Sequence, residues 1–197
     1  MKAGSFNAIT PPLDSPRMRD FLNRCLGLKW KEGTAHEHQV RDILDEMEIV
    51  YEYQPNGSQQ FPDFNIPSRW GTIQLECKSS QRANPTYNSG RPHKDGLYVF
   101  TSKRHDSTTL YWGRDVLKDD KRTLYDEYLA KQKALLQEYQ QKPEWKDDRG
   151  FDFYNREMYT QSGGKDYTDY FTHKDRNTCE ENVYNHFRGL YQCVRWI

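Results

Sequence analysis

Aliphatic bulk, long apolar runs and net charge are what this 197-residue chain has least of. Leu, Ile, Val and Phe together number 35, about 18% of the residues. So small a share suits a disordered chain only when net charge is high, and here 29 Lys and Arg balance 29 Asp and Glu. Aromatic residues at 14%, including 14 Tyr and 5 Trp, supply the bulk for a lean core. One folded domain is therefore expected. No run approaches the roughly 20 apolar residues of a bilayer span, and Met1 to Pro12 lacks the apolar stretch of a signal peptide. The four cysteines form no CxxC pair, which removes the usual zinc and redox motifs and makes a reducing cytoplasm the expected compartment. Serine-hydrolase, P-loop and Rossmann glycine patterns are missing too.

What is present is segregated charge. Ala35 to Glu52 holds six acids and one base, whereas Lys78 to His105 holds six bases and one acid. A basic block of that kind can attract a polyanion even when the whole molecule is neutral, or it can be an ordinary solvated surface. Ser15-Pro16 reads as a helix start, and Met18, Phe21, Leu22, Cys25 and Leu26 recur at helical spacing up to Gly27. Thr34 to Glu37 matches a capping box ahead of Val40, Ile43, Leu44 and Met47. Strands are expected at Val50 to Gln54, Phe61 to Ile66, Thr72 to Lys78, Gly96 to Thr101 and Thr108 to Trp112. Helices follow at about Arg122 to Gln141, with a Leu/Tyr stripe expected to be core or, where exposed, to serve dimerisation, and at Asn177 to Phe187.

The chemistry concentrates in Phe61-Pro62-Asp63 and Glu76-Cys77-Lys78. Acid-x-Lys triplets occur also at Asp119 and Glu144, but only that at Glu76 lies in an alternating strand, where a period of two sends Glu76 and Lys78 to one face. A turn over Pro67 to Gly71 would bring Asp63 beside Glu76. Two carboxylates so placed need a cation between them, and oxygen-only ligation favours Mg²⁺. With an adjacent lysine the set suits metal-assisted phosphodiester hydrolysis; a plain cross-strand salt bridge is the structural alternative. In the following loop Arg82, Arg91, Asn84 and Asn88 could read base edges, while Ser79, Ser80, Tyr87 and Lys94 could hold phosphates, as could Lys103 and Arg104 in the next turn.

Pro62-Asp63 followed by Glu76-Cys77-Lys78 resembles the motif of the PD-(D/E)XK nuclease superfamily, and the size is similar to that of its type II restriction endonucleases. The resemblance implies an α/β fold with a mixed central sheet flanked by helices and a helical C-terminal part. It also implies Asp63 and Glu76 as metal ligands, the Cys77 carbonyl as a further one, and Lys78 as the catalytic lysine. Glu37 occupies the place of an additional family glutamate, yet it is equally the capping-box acid for Thr34. The expectation is a single nuclease domain over 1–197, with a core at about 34–142 and an appendage at about 143–197. It would act as a cytoplasmic, Mg²⁺-dependent homodimer cutting double-stranded DNA at a specific sequence. Two rivals are a nuclease of the same fold that reads DNA structure and a catalytically idle DNA-binding protein.

Overall fold

The computed structural model describes residues 14–32, 34–87, 90–146, 149–150, 152 and 169–188. Helices α1 (Ser15–Leu26) and α2 (Ala35–Glu46) come first, followed by β1 (Glu52–Tyr53), β2 (Phe64–Ser68), β3 (Gly71–Ser80), β4 (Leu97–Ser102) and β5 (Ser107–Trp112). Next are the short α3 (Gly113–Val116), the long α4 (Asp119–Gln140), a 3₁₀ turn at Pro143–Trp145 and α5 (Arg176–Arg188). The strands form one mixed sheet in sequence order, antiparallel throughout except for the parallel pair β3–β4. The protein is thus α/β, and no described helix is long and apolar enough to cross a membrane.

One face of the sheet, carrying Phe64, Ile66, Ile73, Leu75, Cys77, Leu97, Val99, Leu110 and Trp112, packs against α1, α2 and α5. Met18, Phe21, Leu22 and Cys25 of α1 and Val183 and Phe187 of α5 are buried in that layer. Each helix brings a stripe of three to four apolar positions, enough to cover a sheet but not to stand alone. At the start of α1 the cap is Asp14, whose side chain accepts from the Arg17 N–H at 3.1 Å. Ser15 instead donates to the Phe187 carbonyl at 3.0 Å, tying α1 to α5.

Among the described residues the opposite face is covered over β4 and β5. A parallel pair requires a crossover, and the described parts of it, 81–87 and 90–96, lie down on the sheet without forming a helix. Ala83, Pro85, Tyr87, Gly90 and Pro92 are buried along it. Tyr87, Tyr98, Phe100, Tyr111 and Phe171 make a second, aromatic core there, in which the Tyr87 hydroxyl meets those of Tyr111 (3.0 Å) and Tyr170 (3.2 Å). The cover is close-fitting at Gly113, where a Cβ would come within 1.9 Å of the His93 carbonyl oxygen. Gly113→Ala is expected to lower stability by about 2 kcal/mol, read as a drop in the denaturation midpoint, because backbone on both sides must move.

The largest departure from expectation is α4. Its Leu/Tyr stripe was expected in the core, but none of its residues is buried. The 3.6-residue period shows that a helix has an apolar face, and not what covers it.

Candidate active site

Asp63, Glu76 and Lys78 meet at the boundary where the aromatic cover ends. Along that face of β3, Thr72 and Gln74 are exposed, Glu76 is buried and Lys78 is half-buried. The register pairs Phe64 with Leu75, and one step further sets Asp63 opposite Glu76, which puts both carboxylates on one face as the hairpin reading required. The next step would set Pro62 opposite Cys77. Proline has no N–H to give to the ladder, so the antiparallel pairing stops at Phe64–Leu75. The Cys77 N–H donates to Asp63 Oδ2 at 2.7 Å instead. In an extended strand the carbonyl of a residue faces the same side as its N–H, so the Cys77 carbonyl is turned to the side from which β2 has departed. The Cys77 side chain is buried in the opposite layer, leaving only its backbone at the site.

Lys78 Nζ lies 2.7 Å from Glu76 Oε1, with side chains 14% and 9% exposed. Glu76 Oε2 is buried and, among the described residues, has no hydrogen-bond partner in good geometry. Burial raises the Glu76 carboxyl above its ordinary range, against the pull of Lys78 and of the Asp63 backbone N–H. Asp63 is pushed up to about 7 by burial, then by the Glu76 charge, with Glu37 adding to the push and the Cys77 N–H and Lys78 opposing it. Negative charge is thus under-compensated at this point. A hard divalent cation would supply what is missing, and the donors available, two carboxylates and a carbonyl, are all oxygen. Among the described residues no three His, Cys, Asp or Glu side chains form a group that could hold a metal ion by themselves.

Glu37 belongs to this group and not to a cap. Thr34 has helical backbone angles and makes no side-chain cap bond, so the capping box is not formed. The Glu37 Oε2 accepts instead from the Tyr53 hydroxyl at 2.9 Å. Tyr53 and Gln54 had no motif to point to them. Gln54 Nε2 donates to the Tyr53 hydroxyl (3.0 Å) and its backbone N–H to the Asp63 carbonyl (2.8 Å), while its φ of 49° holds a non-glycine residue in the left-handed region. That is strain of the kind stored at functional sites. Only the alternation of β1 and its position before Asp63 could have drawn attention to the pair. Were this group to hold Mg²⁺, Tyr53→Phe would loosen Glu37 behind it and raise the Mg²⁺ concentration for half-saturation by about tenfold, the scale of lost outer support to a metal site, with an unchanged melting temperature; a calorimetric Mg²⁺ titration checks it.

The residues expected to bind DNA scatter. Tyr87 is corrected: it is buried, with its hydroxyl in the tyrosine cluster, and reaches no phosphate. Ser79 still belongs to β3, paired with Thr101, and alternation turns it to the face opposite Lys78. Ser80 Oγ accepts from the Arg82 N–H at 3.0 Å, closing a local turn. Arg82 is exposed and Asn84 half-buried, with Asn84 Oδ1 enclosed and unsatisfied; Asn88 lies outside the described residues. Arg91, expected to read bases, pairs with Asp126 at 2.8 Å, and Lys94, expected to hold phosphate, pairs with Asp119 at 2.8 Å, both partners lying in α4. His93, unremarked in the sequence, stacks on Phe61 with ring centroids 3.8 Å apart. Lys103 and Arg104 are exposed at the β4–β5 turn, with Lys103 over the Trp30 ring at 4.7 Å. The Lys103 N–H bonds the Ser80 carbonyl at 2.8 Å, which leaves this basic turn just beyond the end of the strand that bears Lys78.

No family model, curated protein or solved structure matches the chain, and the site is read from its own geometry.

Proposed function

We propose that this protein is a Mg²⁺-dependent endonuclease that hydrolyses phosphodiester bonds in double-stranded DNA, of restriction type and homodimeric. The observation that supports it best is the buried Glu76 Oε2 opposite Asp63, which among the described residues has no hydrogen-bond partner in good geometry, with the Lys78 ammonium 2.7 Å from the other Glu76 oxygen. A salt bridge kept for structure alone would satisfy both oxygens or leave them in water. Asp63, Glu76 and the Cys77 carbonyl would hold the ion, with Glu37 behind them. When bound, the ion would neutralise phosphate charge and acidify water.

The protein's own groups then have distinct tasks. Asp63 is held by the Cys77 N–H, so its free oxygen is aimed without reorganisation. Lys78 is anchored by Glu76 and presents a cation to the non-bridging phosphate oxygens, where charge builds up as water attacks phosphorus and the bridging P–O bond breaks. The products are a phosphate monoester and an alcohol, with the hydrogens of water shared between them. Lys103 and Arg104 supply exposed positive charge beyond the end of β3 for the backbone of a duplex.

A digest of a long plasmid with Mg²⁺, repeated with chelator and with Asp63→Asn, tests the reading. Discrete fragments that need both the metal and Asp63 are expected. An intact but retarded plasmid would overturn catalysis and leave a DNA-binding protein. The lie of the crossover favours a second reading, in which the same chemistry is directed by DNA structure: Tyr87 is buried and Arg91 and Lys94 are engaged by α4. Smearing, or cutting confined to branched substrates, would select it.

A further inference from the structure

Helix α4 holds 22 residues, about 33 Å of helix, and packs broadly on no other described element. Its attachment to the crossover is one-sided, and at its C-terminal end Tyr139 also meets the Trp145 ring edge-on, centroids 6.4 Å apart, and the Lys142 ammonium 3.6 Å from its ring centre. Asp126 pairs with Arg91, Arg122 Nη1 donates to the Pro92 carbonyl at 2.7 Å, and Asp119 pairs with Lys94. At about 100° per residue these three positions share one side of the helix, and Leu124, Tyr128, Leu135 and Tyr139 lie about half a turn away. Those four are 67%, 49%, 57% and 44% exposed. Their spacing of four, seven and four repeats every 11 residues, so the stripe runs almost straight along the helix.

We propose that this stripe is the surface on which a second copy of the chain packs, antiparallel, about a two-fold axis between Lys131 and Gln132. The spacing and the exposed area carry the choice of occupant and direction. The spacing reads the same from either end, so antiparallel pairing sets Leu124 against Tyr139 of the partner subunit and Tyr128 against Leu135 of the partner subunit, the self-complementarity an isologous contact requires. Two tyrosines and two leucines, each about half open or more, offer on the order of 400–500 Å² per copy, so the pair approaches the roughly 1,000 Å² that specific association needs. The stems of Lys131 and Gln132 add to it, and Lys131 is held by Glu127 at 2.6 Å.

This deepens the homodimeric part of the functional reading by giving it an interface; the test involves no DNA, so it stands or falls separately from the nuclease chemistry. Sedimentation velocity of the full chain over a range of concentrations should show a dimer. Leu135→Glu should weaken it at least about tenfold with the melting temperature unchanged, since Leu135 is not buried in its own subunit. Mixing L124C with Y139C and adding a short bis-maleimide should give far more covalent dimer than either variant alone, because antiparallel packing holds the two copies of position 124 about 22 Å apart. A monomer at every concentration would overturn the proposal. So would a dimer indifferent to Leu135→Glu, or efficient linking of L124C to itself.

Discussion

Asp63→Asn is expected to abolish cleavage by several orders of magnitude while making the metal-free protein more stable at pH 8. The two effects share a cause. Burial and the Glu76 charge push the Asp63 carboxyl up to about 7, so the ionised form is the unfavourable one in the fold. In the unfolded chain the same group titrates near 4. The folded state therefore holds a proton that the unfolded chain has released, and this group favours folding below about pH 4 and loses that contribution as pH rises through about 7. In chelator the wild-type melting temperature should fall between pH 6 and pH 8, with a much smaller fall in Asp63→Asn. The amide oxygen can still accept from Cys77, so the local fold is kept, but the charge that binds the metal is gone. Glu76→Gln should lose activity to a similar extent, and DNA association measured by gel retardation should survive in both. Undiminished cleavage by either variant would sink the metal site. Because the ligands must be deprotonated, Mg²⁺ should also bind more tightly as pH rises through neutrality.

Lys78→Met should lose both turnover and stability, the opposite pairing of effects. Removing the ammonium leaves the Glu76 carboxylate buried without its counter-charge, a loss of about 3 kcal/mol by the measure of other broken buried pairs. Restoring neutrality with the double change Lys78→Met, Glu76→Gln should recover most of the melting temperature and none of the cleavage. Denaturation midpoints and single-turnover rates on the three variants decide it. If Lys78→Met cut normally, the lysine would be an internal counter-charge alone. Loss of cleavage on changing Lys121 or Lys146 instead would move the chemistry to another acid-x-Lys triplet.

The elements of the fold and the facing of Asp63 and Glu76 were legible because they depend on short-range rules. Alternation in Thr72 to Lys78 sets which side chains share a face, a tight turn sets the register, and Gly27 ends α1 where the apolar period stops. The sequence by itself therefore determined the order of most strands and helices to within a few residues and the carboxylate pair with its lysine, while the α/β class, implied there by the family resemblance, is what the sheet and its flanking helices show. Only the tertiary structure decided the rest. Whether Glu37 caps its helix or reaches Tyr53 depends on where β1 lies in space. A polar loop with two prolines gives no sign that it must lie on a sheet face, yet the parallel pairing of β3 with β4 requires a crossover there and buries Tyr87. The stripe on α4 has the same period whether it meets its own sheet or stands open. In each case the deciding term is desolvation by residues far away in the chain, and local spacing carries no record of which neighbour removes the water.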